Sequence, residues 1–168
     1  MIDISKLSQK YVVRFLNQND VEDILILCKK NELFYKYTNA RPTKENILED
    51  MMVTPPNVDP GDKYYVGFYD ANHLVAILDL IDGWPAKDIA YIGFFMVDLG
   101  FQGRDIGTSI IGYITRYLKH VGKRKVRLAI DKGNPQSYHF WLKNSFKVID
   151  EKDLNGWIKL VAELSLEQ

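Results

Sequence analysis

Apolar residues recur along the chain with two spacings, which distinguish predicted strands from predicted helices. Runs rich in β-branched and aromatic residues predict strands at 11–16, 63–70, 73–81, 88–97, 125–130, 146–150 and 157–164. Apolar residues three and four apart, or helix start signals, predict helices at 19–28, 43–52, 105–121 and 134–144. This order of elements predicts an α+β (mixed α/β) fold in one domain spanning 1–168.

The connections predict how the strands are arranged. The segments "DANH" and "DGWPAKD" join three successive strands over short distances, which favours an antiparallel meander. The strand at 88–97 is apolar on both faces, so we expect it at the centre of the sheet. At the first helix, Asn19 and Glu22 have the spacing of a capping box. Asn134 and Pro135 suit the cap and first position of the last helix.

Composition and charge narrow the class of protein. The 168 residues include 22 basic and 22 acidic side chains, and this balance argues against a non-specific nucleic-acid binder. No apolar run approaches the roughly 20 residues that span a bilayer, and no signal pattern opens the chain, so we expect a cytoplasmic protein without membrane contact. The single cysteine, Cys28, lies in an apolar helical stripe, which favours an inert core thiol over a reactive one.

The segment "FQGRDIGTSI" (101–110) joins a buried strand to a helix and carries two glycines and an arginine. Free backbone N–H groups at a helix N-terminus bind anions, phosphate above all. Gly103 and Gly107 allow a ligand to approach the backbone, and Arg104 adds a charged donor. The spacing fits neither the P-loop nor the dinucleotide pattern, and the glycines alone are also consistent with a purely structural turn.

Two motifs together resemble a known family. The sequence Gln102-Gly103-Arg104-Asp105-Ile106-Gly107-Thr108 is similar to the Q/R-x-x-G-x-G/A pyrophosphate loop of the GCN5-related N-acetyltransferases, the GNAT superfamily. The segment "NPQSYHFWLKNSF" (134–146) is similar to the second signature of that family. The resemblance implies a central, mostly antiparallel sheet of about seven strands, a V-shaped splay between strands four and five, and about four flanking helices.

The resemblance also implies acetyl-CoA as acyl donor, bound across that splay. The pantetheine arm would pair with the end of the fourth strand, and the pyrophosphate would lie on the amides of the loop. Asn134 corresponds to a position that commonly contacts the cofactor or an ordered water. The residues implied in cofactor binding are Phe95, Met96, Val97, Gln102, Gly103, Arg104, Asp105, Ile106, Gly107, Thr108 and Asn134.

This chain departs from the family pattern at two glycine positions. Asp105 stands at the first glycine of the loop, where a carboxylate would repel a pyrophosphate. As a helix N-cap, however, Asp105 would turn its oxygen onto backbone N–H groups and away from the ligand. Ser145 replaces the glycine before Phe146, where we expect only a modest local cost.

In the family, an amine attacks the thioester directly in a ternary complex. The resemblance places the donor to the developing oxyanion at a backbone N–H near Phe95 or Met96, exposed by a strand bulge. The usual acid is a tyrosine, and its position here holds Trp141, whose indole N–H is a donor but a very poor acid. Tyr138, one turn earlier, is the candidate acid, with packing as its alternative; the thiolate would also leave without a protein acid.

Asp79 interrupts the apolar run "LVAILDLI" and is the candidate that binds a cationic amine or relays its proton. An outward-facing strand position would equally explain it. The three histidines and one cysteine have no metal-ligand spacing, so we expect no metal. The segment "ELFYKYTNARP" has the aromatic and basic residues of a binding wall, although ordinary packing explains it as well.

The sequence therefore predicts an acetyl-CoA-dependent N-acetyltransferase acting on a primary amine. The alternative is a GNAT-fold module that binds an acyl-CoA with little or no turnover. The acceptor would be a small amine or a peptide N-terminus, and the composition does not identify which. By analogy with the family, the C-terminal strands would pair across a two-fold axis in a homodimer.

Overall fold

The computed structural model describes residues 1–167, which form one seven-stranded sheet and five α-helices. The strands are β1 (Val12–Phe15), β2 (Lys63–Asp70), β3 (His73–Asp82), β4 (Ile89–Val97), β5 (Lys125–Asp131), β6 (Lys147–Leu154) and β7 (Trp157–Ser165). The helices are α1 (Val21–Lys30), α2 (Glu32–Lys36), α3 (Lys44–Met52), α4 (Ile106–His120) and α5 (Pro135–Lys143). The expected α+β class is confirmed, with one short helix, α2, more than expected.

The sheet has the order β1-β2-β3-β4-β5-β7-β6, and β4 and β5 are its only parallel neighbours within residues 1–167. The predicted meander of three antiparallel strands is confirmed as β2, β3 and β4. The apolar strand β4 is central, as its two-sided apolar pattern predicts. The C-terminal hairpin inserts β7 between β5 and β6, which leaves β6 at the sheet edge.

Side chains of successive strand residues alternate between two hydrophobic cores, one on each face of the sheet. Leu78 and Leu80 pack with α4, whereas Ile77, the residue before Leu78, packs with α1 and α3. Each face of the central strands is therefore covered by helices. Asp79 has the same parity as Ile77, so it lies on the α1 and α3 face.

The start of α1 differs from the expected capping box. Asn17 accepts a hydrogen bond from Asn19 N, while the Asp20 side chain accepts one from the Asn17 N–H. A short 3-10 turn precedes the helix, and this turn moves the cap two residues upstream of Asn19. Asp20 also accepts two hydrogen bonds from the Arg14 guanidinium of β1, at 2.7 and 3.1 Å.

Candidate functional site

The splay between β4 and β5 forms the centre of the site. The two strands pair over only four residues each, from Ile89 to Ile92 and from Lys125 to Leu128, and then separate. On the other edge of β4, Leu80 pairs with Ile92 and Asp79 with Phe94, so Gly93 is an extra, bulged residue. The bulge therefore lies at Gly93, just upstream of the expected position near Phe95 or Met96.

A first cavity of about 440 Å³, here called the loop cavity, opens at this splay. It lies between the end of β4, the loop before α4, and α5. Of the residues predicted to bind a cofactor, those that line it are Phe95, Met96, Val97, Gln102, Gly103, Asp105, Ile106, Gly107 and Thr108. The remaining two, Arg104 and Asn134, do not line it.

The start of α4 presents unpaired backbone donors to the loop cavity. The first helical hydrogen bond runs from Ser109 N to Asp105 O, so the amides of Ile106, Gly107 and Thr108 have no intrahelical acceptor. A Cβ at Gly107 would lie 3.0 Å from the Phe140 ring, which leaves this wall tight around the backbone. Together with the dipole of the 15-residue helix, these amides form an anion site.

Asp105 takes the left-handed backbone conformation, with φ of 56°, which explains how it replaces a glycine. Its carboxylate does not cap the helix, contrary to expectation. Instead Asp105 Oδ1 lies 2.7 Å from Lys143 Nζ, and this hydrogen bond, with the lysine charge, lowers the pKa of the carboxyl group. Both residues line the loop cavity, so the ion pair joins its two walls.

Arg104 makes only local contacts. Its guanidinium donates to the Gly100 carbonyl and lies over the Phe101 ring, with 5.7 Å between guanidinium carbon and ring centroid. The side chain therefore shapes the loop from outside the cavity. Ser145, the other departure, adopts φ of 70° just after α5, which is the position where a glycine is favoured.

Gln102 fixes the loop to the end of β4. Its Nε2 donates to Val97 O at 2.8 Å and to Asn31 Oδ1 at 2.6 Å. Asn31, between α1 and α2, also donates to the same Val97 carbonyl at 3.3 Å. The Val97 carbonyl is thus saturated by side chains, which leaves the backbone of Phe95 and Met96 as the free edge of β4 in this cavity.

Asn134 caps α5 by accepting a hydrogen bond from Ser137 N, as its position predicts. It is only 1% exposed, and its amide nitrogen has no acceptor among residues 1–167. A buried amide donor without a partner costs free energy, and an ordered water is the usual way to satisfy it. The cap makes Asn134 important for positioning Ser137.

A second cavity of about 360 Å³, here called the distal cavity, lies on the other side of the splay. Its walls come from α2, α3, the segment between them, β4, β5, α5 and the β6–β7 hairpin. The two cavities are adjacent at a junction of four residues that line both of them: Phe34, Phe95, Ser137 and Trp141. This junction is where ligands in the two cavities would contact each other.

Trp141 provides an unpaired donor at the junction. The residue is 7% exposed and its ring packs against Phe95, Phe140 and Phe146, yet its indole N–H has no acceptor within the described chain. Tyr138 is 43% exposed and lines neither cavity. The structure thus brings Trp141, rather than Tyr138, to the junction.

Ser137 is the only aliphatic hydroxyl at this junction, and sequence reasoning did not identify it. The signal was available, since Ser137 occupies the S/A position of the second motif, four residues before Trp141. Residues four apart share a helix face. That spacing places the hydroxyl beside the indole on the side of α5 that faces the splay.

Asp79 belongs to a buried polar cluster beneath the bulge. Lys63 Nζ lies 2.8 Å from both carboxylate oxygens of Asp79, and both side chains are nearly buried. Burial raises the pKa of Asp79, although Lys63 opposes this effect. A Cβ at Gly93 would lie 2.7 Å from Asp79 Oδ2, so the carboxylate packs directly on the bulge. Asp79 lines neither cavity, which gives no support to proton transfer from an amine.

Cys28, Tyr35 and Tyr65 complete this cluster. Burial raises the pKa of the Cys28 thiol, which is hydrogen-bonded to Tyr35, and burial likewise raises the pKa of both tyrosines. Each of these groups is therefore uncharged near neutral pH. Within residues 1–167 no group of three or more His, Cys, Asp or Glu side chains is placed to hold a metal. No helix of the described chain has the length and apolar character of a membrane span.

Comparison with known proteins agrees with this geometry. Residues 24–146 match the acetyltransferase (GNAT) family. The chain is 24% identical to an uncharacterized N-acetyltransferase of Methanocaldococcus jannaschii over 173 aligned positions, which cover 97% of this chain and 71% of the relative.

Solved structures show the same fold. The PaiA N-acetyltransferase of Thermoplasma acidophilum, in complex with coenzyme A, superposes with a TM-score of 0.65 at 18% identity, covering 91% of this chain and 97% of that one. An acetyltransferase of Thermus thermophilus superposes with a TM-score of 0.72 at 16% identity, covering 91% and 95%.

Proposed function

This chain belongs to the GNAT acetyltransferase family, and we propose that it transfers an acetyl group from acetyl-CoA to a primary amine by direct attack in a ternary complex. The observation that carries the proposal is the junction of two cavities at the splay, through Phe34, Phe95, Ser137 and Trp141. Two separate cavities that meet at one point suit two substrates that exchange a group without a covalent enzyme intermediate.

The loop cavity fits acetyl-CoA. The amides of Ile106, Gly107 and Thr108 would hold the pyrophosphate, and Gly103, whose Cβ position is open, allows close approach. The free edge of β4 at Phe95 and Met96 would pair with the pantetheine arm. The thioester supplies an activated acyl group with a good leaving group.

The distal cavity would hold the amine. The nitrogen of the neutral amine would attack the thioester carbonyl at the junction, and backbone N–H groups next to the Gly93 bulge would stabilise negative charge on the carbonyl oxygen. Solvent would take the proton that the nitrogen loses. The C–S bond then breaks. The indole N–H of Trp141 and the hydroxyl of Ser137 would donate hydrogen bonds to the departing sulfur.

The proposed reaction gives Tyr138 and Asp79 no direct contact with substrate. Asp79 is instead a positioning residue, because its ion pair with Lys63 supports the bulge. In place of a protein acid, the site would use neutral donors that stabilise the thiolate and leave its protonation to solvent.

A second candidate function is a module that binds an acyl-CoA without turnover. One observation favours it: the Asp105 carboxylate lines the cavity where the pyrophosphate would bind. The carboxylate forms an ion pair with Lys143, however, and it makes no hydrogen bond to the amides at the start of α4. Turnover separates the two candidates.

Calorimetric titration with acetyl-CoA and with free coenzyme A tests the proposal, followed by thiol release with a panel of primary amines. We expect micromolar binding that Gly107→Glu abolishes, and thiol release that depends on amine. Gly112→Glu is the matched control, since it adds the same charge on α4 where the nearest atom is the end of a flexible arginine. Binding without turnover for any amine would favour the module, and absence of binding would contradict both.

A further inference from the structure

Four charged side chains line the distal cavity, and two of them neutralise each other. Asp131 and Lys159 form an ion pair, and Asp131 is buried. The other two, Arg41 and Asp50, have no ion-pair or hydrogen-bond partner for their charged groups within residues 1–167. The cavity thus offers one unpaired cation and one unpaired anion.

Lys63, whose charge acts on Asp50, is already paired with Asp79. Asp50 is exposed as a residue, but partial desolvation of its carboxyl group raises the pKa, and the charge of Lys63 opposes this effect. Lys63 itself binds both oxygens of Asp79, at 2.8 Å each. Asp50 and Gly93 both line the distal cavity, and the Asp79 carboxylate packs on Gly93. The charge of Asp50 also raises the pKa of Asp79, which agrees with a place for Asp50 towards the bulge. That is the end where an amine would react.

Arg41 lies at the opposite end of α3 from Asp50. The helix begins at Lys44, and Asp50 lies six positions further along it, or about 9 Å of helix. The Arg41 carbonyl accepts hydrogen bonds from Thr43 N and Asn46 Nδ2, which fix the backbone that carries the guanidinium. The cavity is therefore polarised, with an anion towards the bulge and a cation away from it.

Most of the remaining lining is apolar or aromatic, with Thr38, Asn46 and Ser137 as its uncharged polar side chains. Tyr35, Tyr91 and Phe94 contribute rings, while Ile47, Leu128 and Leu154 contribute aliphatic surface. A volume of about 360 Å³ is near the lower end of small-molecule sites, which span about 300–1,000 Å³. A small acceptor with an apolar body suits these walls better than a long polymer.

We propose that the acceptor is an amino acid or dipeptide with an apolar side chain, whose ammonium faces Asp50 and whose carboxylate binds Arg41. This inference rests on the proposed function, and it names the acceptor for the same site. Bidentate binding of a carboxylate by a guanidinium gives both energy and orientation. A free diamine would place its second cation against Arg41 and is disfavoured.

The test compares acceptors that differ only in the carboxylate. Phenylalanine is paired with phenylalaninamide, and phenylalanyl-glycine with phenylalanyl-glycinamide, and kcat/KM is measured by thiol release and product mass. We expect at least one acid to exceed its amide by about tenfold or more, as for a hydrogen bond to a charged group. In Arg41→Gln the ratio of kcat/KM for the acid to kcat/KM for the amide should fall to about one. In Asp50→Asn the rates of acid and amide fall together.

Lys36→Gln and Glu49→Gln are matched controls, because both side chains are outside the cavity lining. Acetyl-CoA affinity should be unchanged in every variant, which separates this inference from the proposed function. Equal rates for acids and amides, or faster acetylation of a protein N-terminus than of any free acid, would overturn the inference alone. Failure to bind acetyl-CoA would overturn the proposed function and, with it, the inference.

Discussion

The indole N–H of Trp141 gives the sharpest test of the reaction chemistry. Substitution by phenylalanine removes the donor but keeps an aromatic ring against Phe95, Phe140 and Phe146, whose centroids lie 6.0, 4.9 and 5.1 Å from the Trp141 ring. Because these contacts persist, we expect Trp141→Phe to fold, with a loss of about 1–3 kcal/mol for the deleted ring volume.

The expected kinetic effect follows from the charge on the departing sulfur. A hydrogen bond to a charged group contributes about 1.5–3 kcal/mol, and each 1.36 kcal/mol is tenfold in rate. Trp141→Phe should therefore lower kcat by about 10- to 150-fold. The donor acts only when negative charge develops, so acetyl-CoA affinity should change little.

Stopped-flow or plate-based thiol detection at saturating acetyl-CoA measures kcat, and calorimetry measures affinity. Trp157→Phe is the control, since it makes the same change at a residue that lines neither cavity. Trp141→Tyr should restore a donor and add a decline in rate as pH rises through an ordinary tyrosine pKa of about 10. Unchanged kcat in Trp141→Phe, with acetyl-CoA still bound, would refute the role of the indole.

Three other substitutions test the surrounding structure. Asp105→Gly should tighten acetyl-CoA binding several-fold by calorimetry, because it removes a carboxylate and frees Lys143, and the left-handed φ suits glycine; weaker binding would contradict this. Asp20→Asn should lower stability in urea at pH 7 by about 1–3 kcal/mol. The Arg14 hydrogen bond lowers the pKa of Asp20, so the stabilisation that this bond gives is present above about pH 4. It is lost as the pH falls through the folded-state pKa of Asp20, and a stability difference between variant and parent that did not depend on pH would refute this. Gly93→Ala should reduce both kcat and melting temperature, since its methyl group would collide with the Asp79 carboxylate that packs on the bulge. If neither kcat nor the melting temperature changed, the bulge would not be needed.

The order of the long elements could be predicted from the sequence because each is set by a local period. The short helix α2 could not, because its five residues contain barely one turn and lack a side-chain cap. The cap of α1 was misplaced by two residues for a related reason. Asn17 and Asp20 have the same spacing as Asn19 and Glu22, and only the 3-10 turn decides between them.

The loop cavity could largely be predicted because the groups proposed to bind the cofactor are backbone amides at a strand-to-helix joint. The distal cavity could not, since its charged residues come from the α2–α3 segment, α3, β5 and β7, whose mutual packing no local pattern encodes. The ion pair of Asp105 with Lys143 joins positions 38 residues apart. Sequence spacing alone therefore favoured the helix amides, the donors nearest in the chain, as hydrogen-bond partners of the carboxylate.

The ion pair between Lys63 and Asp79 could have been predicted from the sequence. The hairpin pairs Asp70 with His73, and a bulge after Phe68 shifts the register so that Lys63 faces Ile81. Asp79 is then the diagonal neighbour of Lys63 on the same face, close enough for a long side chain. A predicted hairpin with its register would have shown that Asp79 already had a cation.

Asn31 connects the two halves of the site. Its side chain binds the loop through Gln102, the end of β4 through Val97 O, and α1 through Leu27 O. The next residue begins α2, which carries Phe34 and Tyr35 into the distal cavity. A ligand bound in the loop cavity therefore contacts a loop whose Gln102 is hydrogen-bonded to Asn31, and Asn31 also fixes the start of α2 beside the distal cavity. The Asn31 residue is 7% exposed and its side-chain amide is fully hydrogen-bonded, so a displacement at the loop cavity would break hydrogen bonds that also hold the wall of the distal cavity. We therefore expect the two cavities to bind their ligands with positive coupling.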